Sequence, residues 1–408
     1  MTTRSDGTSP RAAPEPHPAR GRCRPRFAAD RIALGAFLAH IALVTLTAVL
    51  TVWLTPSRAW VRPDLGGWAD WLVAPLAIWD GGWYAEIAAD GYGGRRERAA
   101  FWPLYPLLLR GASWLSGARV EVAGVVVSNL ALLVALIALH RLVRADHPGK
   151  VADRTVWLVA LLPNGFVFSA VYTESLFLAL SATSLLTARS GRRAIAAVLA
   201  ALAAVTRNTG LLIMIPLAAL ALGQVGWRPG HLLRRAWPLV LVPLAPLAFL
   251  WHLDGLWGDP LLPMRVGAHW DRHPAWPWRS LWTGTHVALR AYRAWLTGGD
   301  WLPPLGDVPR LIGLPAVAAA IAVLPRCLRR LGWGYSTYAV ACLLVPLASP
   351  AGYNGFLSVP RYLLPVFPLW VAAATLPIST GRWRPLLAVM AAGQAILFAL
   401  HASGYFVA

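Results

Sequence analysis

Long apolar runs dominate this sequence and leave few folds open to it. Crossing the hydrocarbon core of a bilayer takes a helix of roughly 20 apolar residues. Seven runs approach or reach that length: 32–54, 122–143, 236–253, 308–324, 333–348, 362–377 and 385–402. Charged residues make up 13% of the chain, against about a quarter in a soluble globular protein. Because helices satisfy their own backbone in lipid, we expect an all-α polytopic membrane protein.

Two further apolar stretches, 155–187 and 194–223, are too long for one helix and are interrupted halfway by polar residues. Each predicts a hairpin of two short helices. The bundle then has about 11 transmembrane helices, with 9–12 as the range because a hairpin can dip into the bilayer without crossing it.

The arginines orient this bundle. With a cytoplasmic N-terminus, the inner side holds 22 of the 37 basic residues and 5 of the 18 acidic ones, and every short inner loop is basic. The net charge of +19 is therefore explained by topology, and we expect no nucleic-acid partner. Residues 1–30, rich in Pro, Arg and Ser, are predicted to be a disordered cytoplasmic tail before a single transmembrane domain, 31–408.

Most carboxylates lie on the predicted outer side, which holds 13 of the 18. Two outer loops there, 55–121 and 254–307, are too long to be simple connections. The pattern of 101–110 predicts a helix lying along the membrane interface. We therefore expect the functional site at the extracytoplasmic face of a multi-pass protein of the cell membrane.

The first outer loop places Asp80 at the start of a short helical pattern that Gly91 would close. An N-cap role explains such an acid. It does not explain the neighbouring Trp79, Trp83 and Tyr84. A carboxylate beside aromatic rings on which sugars stack is also a well-placed base.

The tip of the first hairpin, 162–175, is the second candidate. Arms of about 15 residues span roughly 22 Å, which is short of the bilayer, so the tip would lie in a recess. Glu174 is the one acid within 154–253, where an unpaired acid is costly. The alternative is a first-turn Glu favoured by the helix dipole.

Two isolated outer arginines form the third candidate. Arg207 is the one basic residue between Arg193 and Arg228 and lies at the tip of the second hairpin. Arg361 lies at the outer start of a predicted helix. A guanidinium binds phosphate through two parallel hydrogen bonds. Snorkelling to the interface is the alternative for Arg207.

The remaining polar patterns exclude several cofactors. His269, His273 and His286 have no metal-ligand spacing, and the many Trp of 254–307 are typical of an aromatic belt. The chain carries no Walker A loop, GxGxxG or Asp-x-Asp pattern, and its three cysteines are dispersed. We expect neither a metal nor a nucleotide cofactor.

Several blocks in fixed order resemble the PIG-V-like mannosyltransferases, bacterial relatives of the eukaryotic GPI mannosyltransferase II. The blocks lie mainly within 75–215, with a weaker match at 360–362. They are Trp79-Asp80-Gly-Gly-Trp-Tyr, Phe101-Trp-Pro-Leu-Tyr-Pro106, Ser128-Asn129-Leu, Pro163-Asn164, Tyr172-Thr-Glu-Ser-Leu-Phe177 and Thr206-Arg207-Asn-Thr-Gly-Leu211.

The resemblance implies a GT-C type membrane glycosyltransferase that transfers mannose from polyprenyl-phosphate-mannose to a glycan or glycolipid acceptor. The essential acid of the first outer loop would be Asp80, acting as base. Glu174 would orient the acceptor or the surroundings of Asp80, and Arg207 and Arg361 would bind the donor phosphate. The predicted substrate-binding residues are Trp79, Trp83, Tyr84, Tyr172 and Asn164.

Other functions fit parts of the pattern. The sequence departs from the family at Gly81, Gly82 and Asn208, which affects substrate choice more than reaction type. A transporter or flippase of a lipid-linked sugar would place ionisable groups near the midplane and show internal repeats, and no clear repeat is present. An oligosaccharide or protein glycosyltransferase and a structural subunit are the remaining alternatives.

Overall fold

The computed structural model describes residues 26–56, 61–225, 230, 236–299 and 301–407. The regular secondary structure of this part of the chain is helical, and its β-structure is limited to isolated bridges such as Arg272 with Ala351. The predicted all-α class is confirmed.

The α-helices of the described residues are joined by short 3₁₀ turns and loops. In chain order they are α1 (Arg26–Leu54), α2 (Ala69–Leu72), α3 (Asp80–Asp90), α4 (Leu104–Ser116), α5 (Val120–Arg144), α6 (Gly149–Leu161), α7 (Glu174–Arg189), α8 (Arg193–Ala204), α9 (Met214–Val225), α10 (Leu241–Trp257), α11 (Leu262–Arg265), α12 (Pro277–Thr297), α13 (Val308–Leu331), α14 (Trp333–Leu347), α15 (Val359–Leu363), α16 (Phe367–Ala374) and α17 (Thr380–Ala402).

Five helical segments of the described chain are long and apolar enough to cross a membrane, as expected of a membrane protein. They are Asp30–Leu54, Val120–Arg144, Trp237–Trp257, Leu305–Leu331 and Thr380–Ala402. The count of 11 crossings and the cytoplasmic N-terminus stay predictions.

The predicted span 362–377 is interrupted in the structure. Helix α15 ends at Leu363 and α16 begins at Phe367. Leu364 before Pro365 still has helical φ and ψ, and the chain leaves helical geometry at Val366, directly after Pro365, where φ is −80° and ψ +67°. The predicted span 333–348 is present as α14, with 15 residues.

Both predicted hairpin stretches form two helices, but the two arms of each stretch do not pack closely on each other. The first consists of α6, with 13 residues, and α7, with 16, joined through the 3₁₀ turn Gly165–Phe168. The second consists of α8 and α9, joined through the 3₁₀ segment Asn208–Ile213. Helix α6 packs on α1, α5 and α16, and α7 packs on α5 and α8. Helix α8 packs on α7 and α10, and α9 packs on α14.

The N-terminal and inner segments are only partly described. Helix α1 begins at Arg26, so the last part of the predicted disordered tail 1–30 is helical. The rest of that tail lies outside the described residues, as does most of the predicted inner loop 228–235.

The first outer loop packs closely on the bundle. Tyr105 and Leu109 of α4 are buried, whereas Trp114 and Leu115 at its end are 81% and 78% exposed. A short helix with one buried and one exposed apolar side fits the predicted interfacial segment. In the second outer loop, α12 is a 21-residue helix for which the sequence had given no bounds.

Backbone contacts bring the first outer loop to the tip of the first hairpin. The N–H of Val171 donates to the carbonyl of Leu76 over 2.9 Å. Gly81, in the first turn of α3, lies against Val171, and a Cβ there would stand 3.4 Å from the Val171 Cβ. The beginnings of α3 and α7 therefore lie side by side, and α15 completes the site between them.

Candidate active site

Asp80 begins helix α3 without capping it. The N-cap position is Trp79, whose φ of +59° is unusual for a residue with a side chain, and no side-chain capping bond is formed. The Asp80 carboxylate instead accepts a hydrogen bond of 2.6 Å from Nη1 of Arg361 to Oδ2. The N-cap interpretation is therefore excluded, and the carboxylate pairs with one of the two isolated arginines of the third candidate.

Glu174 lies in the first turn of α7 and is 1% exposed. Its Oε1 is 2.5 Å from Nη1 of Arg207 and 3.4 Å from Nε of Arg361. Neither carboxylate oxygen of Glu174 has a properly aligned hydrogen-bond donor among the described residues. A buried charge held by ion pairs alone is costly, which is typical of a site kept for function.

Arg207 is buried rather than extended to the membrane interface, with 7% of its surface exposed. Besides pairing with Glu174, its Nη1 donates to Oγ1 of Thr173 over 3.0 Å. The snorkelling alternative is therefore wrong, because the pairing with Glu174 turns the guanidinium inward. Arg361, 6% exposed, lies in the same buried group.

Three guanidiniums surround the ring of Tyr362. The guanidinium carbons of Arg361, Arg207 and Arg272 lie 5.2, 5.3 and 5.8 Å from the ring centroid. Burial alone would raise the pKa of Tyr362, which lies outside the five candidate spans. The charges of Arg272, Arg361 and Arg207 outweigh that effect, so the pKa is below its ordinary value. The interior of the site is strongly electropositive around this ring.

Arg272 is the residue that the sequence did not single out. It is one of five arginines in 254–307, and no spacing or isolation distinguishes it. Its guanidinium donates to the carbonyls of Ser349 over 2.9 Å and Leu357 over 3.2 Å. The residue therefore ties the second outer loop to the segment that leads into α15 and Arg361.

Tyr172 and Trp79 flank the charged cluster. Tyr172 is buried, and its ring lies 5.1 Å from the guanidinium carbon of Arg361. Trp79 is 40% exposed, and its ring packs edge-on against Phe406 with centroids 5.3 Å apart. The Tyr172 ring thus packs inside the cluster, whereas the Trp79 ring, next to Asp80 in the chain, is partly exposed.

Tyr84 also lies beside the cluster. Burial raises the pKa of its phenol, and the carboxylates of Glu174 and Asp80 raise it further. The phenol therefore stays protonated and able to donate a hydrogen bond. Trp83, its neighbour on α3, stacks instead on Phe101 with centroids 5.6 Å apart.

Asn164 has a structural contact in this state of the protein. Its Nδ2 donates to the carbonyl of Val407 over 2.8 Å, and the side chain is buried. The structure thus brings Asp80, Glu174, Arg207, Arg361, Tyr172 and Tyr84 together, with Trp79 at the border, and places Trp83 and Asn164 in neighbouring packing.

No group of three or more His, Cys, Asp or Glu side chains that could hold a metal ion is found within the described ranges. The positive charge in this site comes from guanidiniums. The two carboxylates, Asp80 and Glu174, are both engaged by arginine.

Comparison with known families places this site in context. The family model described as Mannosyltransferase (PIG-V) matches residues 62–225, which contain Asp80, Glu174 and Arg207. This region is similar to the PIG-V mannosyltransferases. The resemblance predicted from the sequence blocks is confirmed. Arg272 and Arg361 lie outside the matched residues. Arg361 belongs to the site through its contacts with Asp80 and Glu174, and Arg272 through the ring of Tyr362 that it shares with Arg361 and Arg207.

One curated relative is the GPI mannosyltransferase 2 of Yarrowia lipolytica, 31% identical over 147 residues. The alignment covers 35% of this chain and 40% of the relative, so the chain matches less than half of that protein's length. Among solved structures, the oligosaccharyltransferase of Archaeoglobus fulgidus is similar. Its complex with Zn and sulfate has 15% sequence identity and a TM-score of 0.44, and the alignment covers 89% of this chain and 53% of that one. Its apo form gives the same score over 90% and 56%.

Proposed function

We propose that this protein is a membrane glycosyltransferase that transfers mannose from polyprenyl-phosphate-mannose to a glycan or glycolipid acceptor at the extracytoplasmic face. The family match over 62–225 supports the class of reaction. The observation that carries the proposal is the position of Arg361, which contacts both Asp80 and Glu174 inside the buried cluster.

The charges of the cluster suit a singly charged donor. Asp80 and Glu174 offset two of the three guanidiniums of Arg207, Arg272 and Arg361, leaving one net positive charge. A sugar linked to a lipid through one phosphate is a phosphodiester and carries one negative charge. Binding such a donor would neutralise the site, which lowers the cost of burying the phosphate.

The reaction follows from these positions. The acceptor hydroxyl oxygen attacks the anomeric carbon of the donor sugar, and its proton passes to Asp80. The bond between that carbon and the phosphate oxygen breaks, and the electron pair leaves with the lipid phosphate. The new negative charge develops beside the guanidiniums, which is where preorganised positive charge lowers the barrier. Attack opposite the leaving group inverts the anomeric centre.

Asp80 has the accessibility that a base needs. Its side chain is 22% exposed, whereas that of Glu174 is 1% exposed. Only Oδ2 of Asp80 is engaged by Arg361, and no hydrogen bond to Oδ1 is found in the described part of the chain. Asp80 therefore acts as base and Glu174 holds the two arginines in place.

The proposed side of the membrane comes from the sequence. The short loops that carry the arginines are on the predicted inner side, whereas the site is built from the predicted outer loops and hairpin tips. Because arginines supply the positive charge, we propose that transfer needs neither a bound metal nor a nucleotide. Transfer that continues at the same rate in excess EDTA would agree with this.

The test is transfer of radiolabelled mannose from polyprenyl-phosphate-mannose to membrane lipids and glycans. Membranes containing wild-type protein, the Asp80→Asn variant or no protein would be compared, with equal amounts of inserted protein. We expect transfer with wild type and a loss of about 10²- to 10⁴-fold for the variant, the usual contribution of a general base. Equal signals in all three membranes would refute the proposal.

A further inference from the structure

A cleft of about 660 Å³ runs along helix α3, beside the charged cluster. Its floor is the helix face that carries Gly82, Ala85, Glu86 and Ala89. Successive residues of an α-helix are rotated by about 100° around its axis, which places this face on the side of α3 opposite the Asp80 side chain. The cleft nevertheless reaches the beginning of α3, because Trp79 forms part of its wall.

The cleft lacks the excess of positive charge found in the cluster. Glu86, Asp90 and Glu121 line it together with Arg119, and Glu86 and Asp90 pair with Arg95 and Arg98 at its edge. Its carboxylates and the nearby arginines therefore balance, whereas arginines predominate in the cluster around Tyr362. An anionic donor phosphate would be attracted to the cluster rather than to the cleft.

The lining of the cleft suits a polyhydroxylated ligand. Trp79 presents an exposed aromatic surface, and carboxylates accept hydrogen bonds from hydroxyl groups. Glu121 is half-buried in the first turn of α5 and makes no hydrogen bond or ion pair with any described residue. Gly82 keeps the floor open, since a Cβ there would meet nothing within 4 Å.

One end of the cleft adjoins the membrane interface. Ser113 of α4 lines the cleft, and the next two residues, Trp114 and Leu115, are among the most exposed apolar side chains of that helix. Exposed apolar groups on an interfacial helix contact lipid chains. A ligand with a sugar headgroup in the cleft could thus keep its lipid tail in the bilayer.

We propose that this cleft binds the sugar headgroup of the acceptor glycolipid, with an uncharged headgroup lying along α3 and its lipid tail beside Trp114 and Leu115. The 11 residues of α3 span about 16 Å, so a headgroup of more than one sugar fits between Asp90 and Trp79. The end of the headgroup farthest from the lipid tail then lies next to Trp79, the residue before Asp80. This inference rests on the proposed function.

The test uses photolabelling, so that binding is read without activity. The full chain in lipid vesicles would be irradiated with octyl α-mannoside carrying a diazirine, and the crosslinked residues mapped by mass spectrometry. We expect saturable labelling within 61–63, 79–90 and 113–121. Ala89→Trp, which fills the cleft far from Asp80, should reduce that labelling at least about tenfold.

The matched control is Ala319→Trp, the same change at an exposed position of α13 that does not line the cleft. It should label like wild type, and both variants should elute as monodisperse protein with similar melting temperatures. Labelling at other positions, no saturable labelling, or unchanged labelling in Ala89→Trp would overturn the inference.

The outcomes also separate this inference from the proposed function. If membranes show no mannose transfer while the cleft is labelled as expected, the proposed function fails and the sugar-binding cleft stands. If mannose transfer is confirmed but Ala89→Trp leaves both labelling and the acceptor KM unchanged, the cleft is not the acceptor site.

Discussion

The guanidinium of Arg361 donates a 2.6 Å hydrogen bond to the carboxylate of Asp80, although the two residues are 281 positions apart in the chain. The same guanidinium approaches Glu174. Under the proposed function, a donor phosphate that binds Arg361 competes with Asp80 for it. Donor binding and release of the base are then linked through one side chain.

Arg361 should therefore affect both donor binding and rate. Arg361→Gln should lower kcat by about 10²- to 10³-fold, the usual cost of losing one donor to developing negative charge, and raise the KM for the donor. Arg361→Lys keeps the charge but loses the paired geometry, so its loss should be smaller. Initial rates of mannose transfer over a range of donor concentrations measure both effects.

The control for this pair is Arg310→Lys, at an arginine that pairs with Asp307 away from the cluster. Its kinetics should match wild type. An Arg361→Gln variant with wild-type kcat and donor KM would show that Arg361 does not contact the donor.

Much of the cluster was predictable because some of its residues are the single charged residues of their sign in long apolar segments. Glu174 is the one acid of 154–253, where an unpaired acid is costly, and Arg207 is the one basic residue between Arg193 and Arg228, at a predicted outer helix end. Their contact was not predictable. Which guanidinium meets which carboxylate depends on how the two hairpin tips and α15 pack, and no local pattern records such long-range pairing.

Other features were missed because a residue had no distinguishing local pattern or because a long apolar run was taken for a single helix. Arg272 is one arginine among five in its loop, and its role follows from contacts with Ser349 and Leu357. The run 362–377 has the hydropathy of a span, yet the chain leaves helical geometry at Val366 and forms two helices. Composition predicted the membrane class, whereas backbone geometry decided where helices end.

Glu174 should be a major contributor to stability. In Glu174→Gln, the buried guanidiniums of Arg207 and Arg361 lose their shared counter-charge. Breaking a buried ion pair from one side costs about 3 to 5 kcal/mol, so the melting temperature in detergent should fall by several degrees.

A double variant separates pairing from general damage. Glu174→Gln combined with Arg207→Gln removes both partners and should lose less stability than the two single variants added together, because no unpaired charge from this pair stays buried. Strictly additive losses would mean that the Arg207–Glu174 contact contributes little to the folded state.

Arg272 should act as a positioning residue. In Arg272→Ala, the carbonyls of Ser349 and Leu357 lose a donor, and the segment that leads to Arg361 loosens. We expect the donor KM to rise about tenfold with a smaller change in kcat, measured in the same transfer assay. Arg293→Ala, at an exposed arginine of α12, is the control and should leave both constants unchanged. An equal fall in kcat with constant KM would argue for a direct role in the transition state instead.

Gly210 should be indispensable to the second hairpin tip. A Cβ at this position would lie 2.2 Å from the carbonyl oxygen of Ala203 and 2.5 Å from the Cα of Ala204. These are backbone atoms of the facing helix end, so they cannot rotate away as a side chain would. Gly210→Ala should therefore lower the free energy of unfolding by more than about 3 kcal/mol, which exceeds the usual cost of overpacking. It should also displace the side chain of Arg207, which lies three residues before Gly210 in the chain.

Gly223→Ala provides the contrast for Gly210→Ala, since a Cβ at position 223 of α9 would meet nothing within 4 Å. Alanine is favoured over glycine inside a helix by about 1 kcal/mol, so this variant should be as stable as wild type or slightly more stable. Melting temperatures in detergent and mannose transfer of both variants decide the point. If Gly210→Ala kept wild-type stability and activity, the close approach of Gly210 to the end of α8 would not be what holds Arg207 against Glu174.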